Sequence, residues 1–460
     1  MHNASPNPLT HGPVATTLVR FALPVLGGYV LQSLGHSLHA AWIGGTLGPA
    51  ALAAATQANN LLFVLIAIVF GISQAAGILV AQAMGAGDRE RARRVAGTGA
   101  SLFALGAVVM GAAAWLLAPA LLRALRTPPD IAPLAQSYLR WLLPALPVQM
   151  LFICASAVLR GAGDARRPFL CLLGGIALDA LLAPALIRGI GPLPPLGMAG
   201  SAVALLLSQA AALAALLVWV RRQNHPLWIG GEARTWLRPD VRTAAALLRT
   251  GLPMGLQMMA AAASLVALLA LVNRQGALAT SAYSAALQLW TYVQMPAMAI
   301  GAACTSMAAQ CAGAGEWHRI GRVARAGLVW MALATGALIA LTLLLDAPLL
   351  SLFLPQGGPA LAAAQAINRQ VIGSFLLLGV GMVLSGVVRS TGAVWAPLAL
   401  WAFALWGIRL PAALWLPTWW GPGALWWSFA ASALGFAVLS LAYYRSGHWK
   451  RACRLPWLDV

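Results

Sequence analysis

Polar residues along this chain are sparse and clustered, and the stretches between them stay apolar for about twenty residues at a time. Runs of that length read as membrane-spanning helices; spanning strands would show shorter segments of alternating hydropathy. The pattern predicts helices over 17–40, 47–80, 95–119, 134–157, 167–188 and 197–220, then over 244–271, 280–310, 323–345, 364–387, 395–416 and 423–444. The polar stretch 221–243, "RRQNHPLWIGGEARTWLRPDVRT", separates the two sets of six as a cytoplasmic linker. Residues 1–16 are polar and contain proline, with no basic run before an apolar core. They read as a disordered leader, not a signal peptide, and 446–460 reads as a cytoplasmic tail.

Composition agrees with this pattern. Only 8% of residues are charged, 61% are hydrophobic, and mean hydropathy is +0.80. A soluble domain carries about 25% charged residues, so this chain cannot cover itself with a polar surface. The net charge of +19 could suggest a nucleic-acid partner, but the basic residues sit in short clusters between spans: "DRERARR", "DARRP", "RRQNH", "KRACR". With the N-terminus inside, 22 of the 29 basic residues fall on the inner side and 7 elsewhere, which places both termini in the cytoplasm and excludes nucleic acid. Of the five cysteines, four lie in apolar spans and none forms a CxxC, so neither a disulfide framework nor a zinc site is indicated.

The two sets of six helices are copies. "AQAMGAGDRERARRVAGTG" (81–99) matches "AQCAGAGEWHRIGRVARAG" (309–327) at an offset of 228. "RFALP" (20–24) matches "RTGLP" (249–253), and "VLRGAGDARRP" (158–168) matches "VVRSTGAVWAP" (387–397), both at an offset of 229. Six is even, so the copies share an orientation. The expected fold is an all-α membrane protein with twelve transmembrane helices in two six-helix lobes, 17–220 and 244–445, a tandem parallel repeat of the kind transporters use. The recurring Gly-Ala-Gly reads as a helix-ending turn rather than a phosphate cradle. No G-x-x-x-x-G-K-[ST] loop is present, since the only lysine is Lys450. That leaves a secondary transporter or a passive pore.

Coupling to an ion gradient normally uses a titratable group inside the membrane, where a mid-helix Asp costs about 2.5–3.5 kcal/mol. Nine of the ten acidic residues fall in loops, tails or span ends; Asp179, in "LGGIALDALLAPAL", lies well inside a helix. His36 and His39, one helical turn apart in "GHSLHAAWIGG", are the other intramembrane candidates. Three readings are open for them: metal ligands, neutral packed rings, or proton carriers, a role suited to an unperturbed pKa of about 6.5. No further His or Cys is placed to complete a metal site. Arg188, Arg274 and Arg409 fall at or near span ends, and Trp419, Trp420, Trp426 and Trp427 read as an interfacial belt.

Across residues 17–445 the sequence resembles the multidrug and toxic compound extrusion (MATE) family. The residues that carry this are "ALP" (22–24), "WIGGTLGPAALAA" (42–54), "AQAMGAGD" (81–88), "LRGAGDARRPF" (159–169), "LDALL" (178–182), "LGMAGSAVA" (196–204) and "GLPMGLQ" (251–257). The resemblance implies a twelve-helix antiporter of the cytoplasmic (inner) membrane. It would export amphipathic, often cationic, compounds against inward proton or sodium flow by alternating access. Asp179 falls on the family's fifth-helix acid and Gln32 on a first-helix glutamine, while His39 stands where the first-helix aspartate is usual. Gly175 replaces a common asparagine, Leu205 a threonine, and Ala261 a glutamate of another branch, leaving the C-terminal half without an obvious buried acid. The implied mechanism protonates Asp179, with His39 and Gln32 as partners, and bends the first helix near Pro24. Gln257, Gln288 and Tyr292 are the expected substrate-cavity residues.

A lipid or lipid-linked oligosaccharide flippase of the same superfamily is the alternative, and it would need a basic cavity for phosphate. A major-facilitator transporter is disfavoured because the glycine of its loop signature falls on Arg91. An intramembrane hydrolase using His39 with Ser33 or Ser37 lacks a nucleophile elbow, so no enzyme is expected. The only expected partners are a small amphipathic substrate and the lipid bilayer, with no cofactor beyond the coupling ion. No oligomerisation signal stands out, so a monomer is expected.

Overall fold

The computed structural model describes residues 9–124, 131–189, 195–228, 238–354 and 357–452, leaving out the side chains of 60, 61, 63–66, 68, 121, 124 and 452. Parts of the expected leader (1–8), linker (229–237) and tail (453–460) lie outside the described residues. Every regular element among the described residues is helical. The first six are α1 (Val14–Leu47), α2 (Pro49–Gly85), α3 (Arg89–Ala124), α4 (Ala132–Gly161), α5 (Arg166–Arg188) and α6 (Gly197–Arg222). Then come α7 (Val241–Asn273), α8 (Ala277–Val293), α9 (Met295–Gly313), α10 (Trp317–Leu344) and α11 (Asp346–Ser351). The last four are α12 (Gly358–Val371), α13 (Ser374–Arg389), α14 (Trp395–Trp420) and α15 (Pro422–Ser446).

Helix occupies each of the twelve intervals predicted from the sequence, but not every interval holds one straight span. Nine helices among the described residues are long and apolar enough to cross a bilayer alone, and ten when the α12–α13 pair, bent by 46°, counts as one. The eighth interval is broken at Gln294, where Pro296 opens α9 and cannot donate to the preceding turn. A π turn at Phe403–Arg409 interrupts α14.

Contacts divide the chain into two compact units. One is Gly27–Gly255; the other joins Met1–Leu26 to Leu256–Val460. Both divisions fall inside helices, two residues beyond Pro24 in α1 and Pro253 in α7. Each proline lacks an N–H and frees the carbonyl four residues earlier, so the helical ladder is weakest there.

Within the Gly27–Gly255 unit, helices approach closely wherever glycine removes the side chain. A Cβ on Gly161 would stand 2.2 Å from the Gly77 carbonyl oxygen, and one on Gly200 would stand 2.4 Å from that of Leu186. Between lipid-embedded helices such contacts replace the missing hydrophobic drive with dispersion. The other unit repeats the device at Gly386, whose Cβ would meet the Gly301 carbonyl at 2.8 Å. It also holds a large apolar cluster around Tyr283, Trp290, Phe375, Phe429 and Phe436.

The repeated motifs form helix-ending turns at equivalent places. Gly87 (φ 77) and Gly315 (φ 75) take the left-handed conformation that ends α2 and α9, and the next N–H reaches back to Ala83 O (3.0 Å) and Cys311 O (2.8 Å). The arginines after these turns bind carbonyls of non-helical chain. Arg319, almost fully buried, donates to the carbonyls of Leu9, His11 and Gly12, so the expected disordered leader is fixed from Leu9 onward. Arg93 donates to the carbonyl of Pro226 in the linker (2.7 Å). Asp240 caps α7 by accepting hydrogen bonds from the Thr243 hydroxyl and N–H.

Two outcomes follow for thermal unfolding of the purified protein. A Cβ on Gly71 would lie 2.2 Å from the Gly255 nitrogen, so Gly71→Ala is expected to cost about 1–3 kcal/mol, whereas Gly106→Ala, with open space around it, is neutral or stabilising. The Thr243 hydroxyl and N–H hold the Asp240 carboxyl below its usual range. That stabilisation is therefore complete above the ordinary carboxylate pKa and is lost as pH falls through the depressed one. Asp240→Ala should cost about 1 kcal/mol at neutral pH, with the gap from wild type closing in acid.

Candidate functional site

Side chains of α5 reach α1 where glycine leaves room for them. A Cβ at Gly27 would sit 2.6 Å from the Phe169 ring, and one at Gly35 would sit 3.3 Å from Ile176. Contacts advance in the same direction along both helices, so the two run side by side. One turn beyond Gly35, His39 meets Asp179, with Nδ1 to Oδ2 at 3.1 Å. The two residues are 8% and 9% exposed. One turn before Asp179, α5 lies against α6, where a Cβ on Gly175 would stand 3.0 Å from Ala212 Cβ and 3.3 Å from Ser208 O. An asparagine at Gly175 would collide with α6, which gives the glycine a packing reason.

A single proton decides the chemistry of this contact. With one shared proton, as imidazolium and carboxylate or as imidazole and carboxylic acid, the pair is neutral overall; without it the pair carries one negative charge. Among the described residues neither His39 Nε2 nor Asp179 Oδ1 has a hydrogen-bond partner, and both atoms are buried, as is the Trp42 indole N–H one turn along α1, which also finds no partner there. Tyr138 of α4, 1% exposed, is near enough to Asp179 to interact electrostatically, and so is His36, whose side chain is exposed. Sequence reasoning misses Tyr138, because a tyrosine in an apolar span reads as packing.

The other expected site residues are more dispersed. Gln32 lies two turns before His39 on the same face of α1; it is exposed, and no hydrogen bond joins it to the pair. Pro24 is half-buried. In the second unit, Gln257 accepts a hydrogen bond from Arg389 (3.2 Å). Gln288 lines an open pocket of 430 Å³ with Thr280, Ser281, Ser284 and Phe353. Tyr292 is half-buried on α8. No hydrogen bond joins any two of these three. Among the described residues no three of His, Cys, Asp and Glu converge as metal ligands.

Three sequence expectations need correction. The C-terminal half does contain a buried acid: Asp346, 3% exposed, accepts from Asn368 (2.7 Å) and Arg369 (3.2 Å), and Asn368 accepts from Trp290 (2.9 Å). Asp346 opens the short helix α11, beyond the span expected over 323–345, and is buried by its contacts with α12. Arg409 lies in the middle of α14, since that helix runs on to Trp420. Trp426 is buried against Tyr283 instead of joining the exposed Trp419 and Trp420.

Comparison with known proteins accords with this architecture. The MatE family profile matches residues 24–185 and again 253–415, so each match starts at or beside one of the two helix prolines. The "Probable multidrug resistance protein YoeA" of Bacillus subtilis (strain 168) is 34% identical over 393 residues, covering 85% of each chain. "Probable multidrug resistance protein YpnP" of the same organism is 29% identical over 96% of this chain and 97% of its own. A solved MATE structure in the bent conformation superposes with a TM-score of 0.88 at 22% identity, over 97% of this chain and 98% of that one. The tandem repeat and the profile matches together show that this chain belongs to the MATE family.

Proposed function

We propose that this protein is a secondary antiporter that exports amphipathic compounds from the cytoplasm in exchange for protons, with the Asp179–His39 pair as the coupling site. The observation that carries the proposal is the buried 3.1 Å contact between an imidazole nitrogen and a membrane carboxylate. The names of the relatives support the export of drug-like compounds, and the bent form of a structural neighbour supports alternating access. A sodium ion favours several hard oxygen ligands. Here the carboxylate faces a ring nitrogen, which favours the proton.

In this cycle a proton from outside joins the pair and cancels its negative charge. The change in buried charge alters the preferred packing of α1 against α5, and α1 yields at Pro24, where its ladder is already interrupted. Release of the proton to the inside restores the charge. The excess of basic residues in alternate loops supports a cytoplasmic location for both termini in an inner membrane.

The test is efflux of ethidium from proteoliposomes under imposed proton or sodium gradients. Asp179→Asn is expected to lower proton-driven efflux at least tenfold. His39→Ala should displace its pH dependence, and His39→Asp should keep coupling with a more acidic profile. Proton-driven efflux that is indifferent to Asp179→Asn would sink the proposal. Scrambling of labelled lipid without efflux would favour the flippase.

A further inference from the structure

The second unit carries an arginine that the coupling pair does not use. Arg409 ends the π turn Phe403–Arg409, eleven residues from Trp420 and fourteen from Trp395, or roughly 16–21 Å from either end of α14 at 1.5 Å per residue. A full charge at that depth is costly, and such residues are normally paired or functional. Among the described residues no ion pair involves Arg409. Its Nε donates to the Ser432 hydroxyl at 3.0 Å, and the guanidinium lies 4.6 Å from the centre of the Phe429 ring. These contacts fix the orientation of the plane and leave the two terminal nitrogens without a protein acceptor. The side chain is only half-buried, so it can still be reached.

A second, independent feature packs against the same Phe429 ring. Tyr283, 1% exposed, is held between Trp426 (ring centroids 5.6 Å), Trp290 (6.1 Å) and Phe429 (6.5 Å). Its hydroxyl is buried without a hydrogen-bond partner, and the phenol and the guanidinium are close enough to interact electrostatically. The π turn adds a third feature, because an i→i+5 turn widens the helix and recurs at functional sites. Gly435 of α15 makes room beside that turn; a Cβ there would stand 2.3 Å from Ile408 Cδ1.

We propose that Arg409 and Tyr283 form an anion-recognition site for the carboxylate, sulfonate or phosphate head of an amphiphile. A guanidinium with two free nitrogens takes two oxygens of one oxyanion side by side, and the phenol hydroxyl supplies a third donor. The site lies wholly within the second unit, so it stands whether or not Asp179 couples protons. It extends the expected substrates from cations to anionic or zwitterionic amphiphiles.

The experiment is isothermal titration of the full chain in phosphatidylcholine nanodiscs with decyl phosphate, using decyltrimethylammonium as the probe of opposite charge. Arg409→Gln is expected to weaken decyl phosphate binding at least tenfold and to leave decyltrimethylammonium unchanged. Tyr283→Phe, which keeps the ring packing, should weaken the phosphate about three- to tenfold, and it decides the matter if Arg409→Gln does not fold. Phosphatidylglycerol in the discs that displaces decyl phosphate from wild type identifies a lipid headgroup as the occupant; no displacement identifies a soluble amphiphile. Equal phosphate affinity in wild type and both variants, or equal loss of both probes, overturns the proposal.

Discussion

A carboxylate inside a bilayer must be neutralised or paired, and the arrangement around Asp179 follows from that constraint. Removing one partner of a buried pair leaves an uncompensated group at a cost of about 3–5 kcal/mol. The pairing is flanked by Gly27 and Gly35 of α1, where a larger residue would meet Phe169 and Ile176 of α5. Gly175, one turn before Asp179, lets α6 approach α5. Imidazole in place of the usual aspartate also changes the charge of the site. Two facing carboxylates repel and share a proton, whereas His39 and Asp179 attract when both are ionised. In the proposed cycle the loaded pair is neutral, with the proton on Asp179 beside His39, and proton loss leaves the buried carboxylate charged.

The same helix links this pair to the larger architecture. Pro24 lies fifteen residues before His39 on α1, and the boundary between compact units falls two residues after it, as it does after Pro253 on α7. The chain ahead of each proline therefore belongs with the half that it does not begin. Each such segment is held by an arginine following a repeated turn: Arg319 binds the carbonyls before α1, and Arg93 binds the linker before α7. A helix clamped at its start, interrupted at a proline and carrying an ionisable group beyond it has one place to absorb a change in that group's charge.

Much of this was legible in the sequence because membrane constraints are coarse. Apolar length placed the helices, and the offset of the GAG motifs exposed the duplication. Asp179 stood out because it is the acid well inside a span. The pairing of His39 with Asp179 rested on resemblance, since nothing in one sequence says which faces of two helices meet. The remainder was hidden for specific reasons. Asp346 looked like a loop residue because α11 is too short to show periodicity. Arg409 looked peripheral because the prolines and tryptophans of 411–420 suggest an early helix end, yet α14 continues through them. Trp426 and Trp427 are adjacent in sequence and opposite in exposure, at 5% and 50%, and composition cannot assign faces.

The central claim, that Asp179 takes and releases the coupling proton beside His39, is tested most directly by infrared difference spectroscopy of the purified protein between acid and alkaline pH. The account predicts a protonated-carboxyl C=O band in wild type that is absent in Asp179→Asn and titrates at a displaced midpoint in His39→Ala. A wild-type band that survives Asp179→Asn unchanged would contradict it.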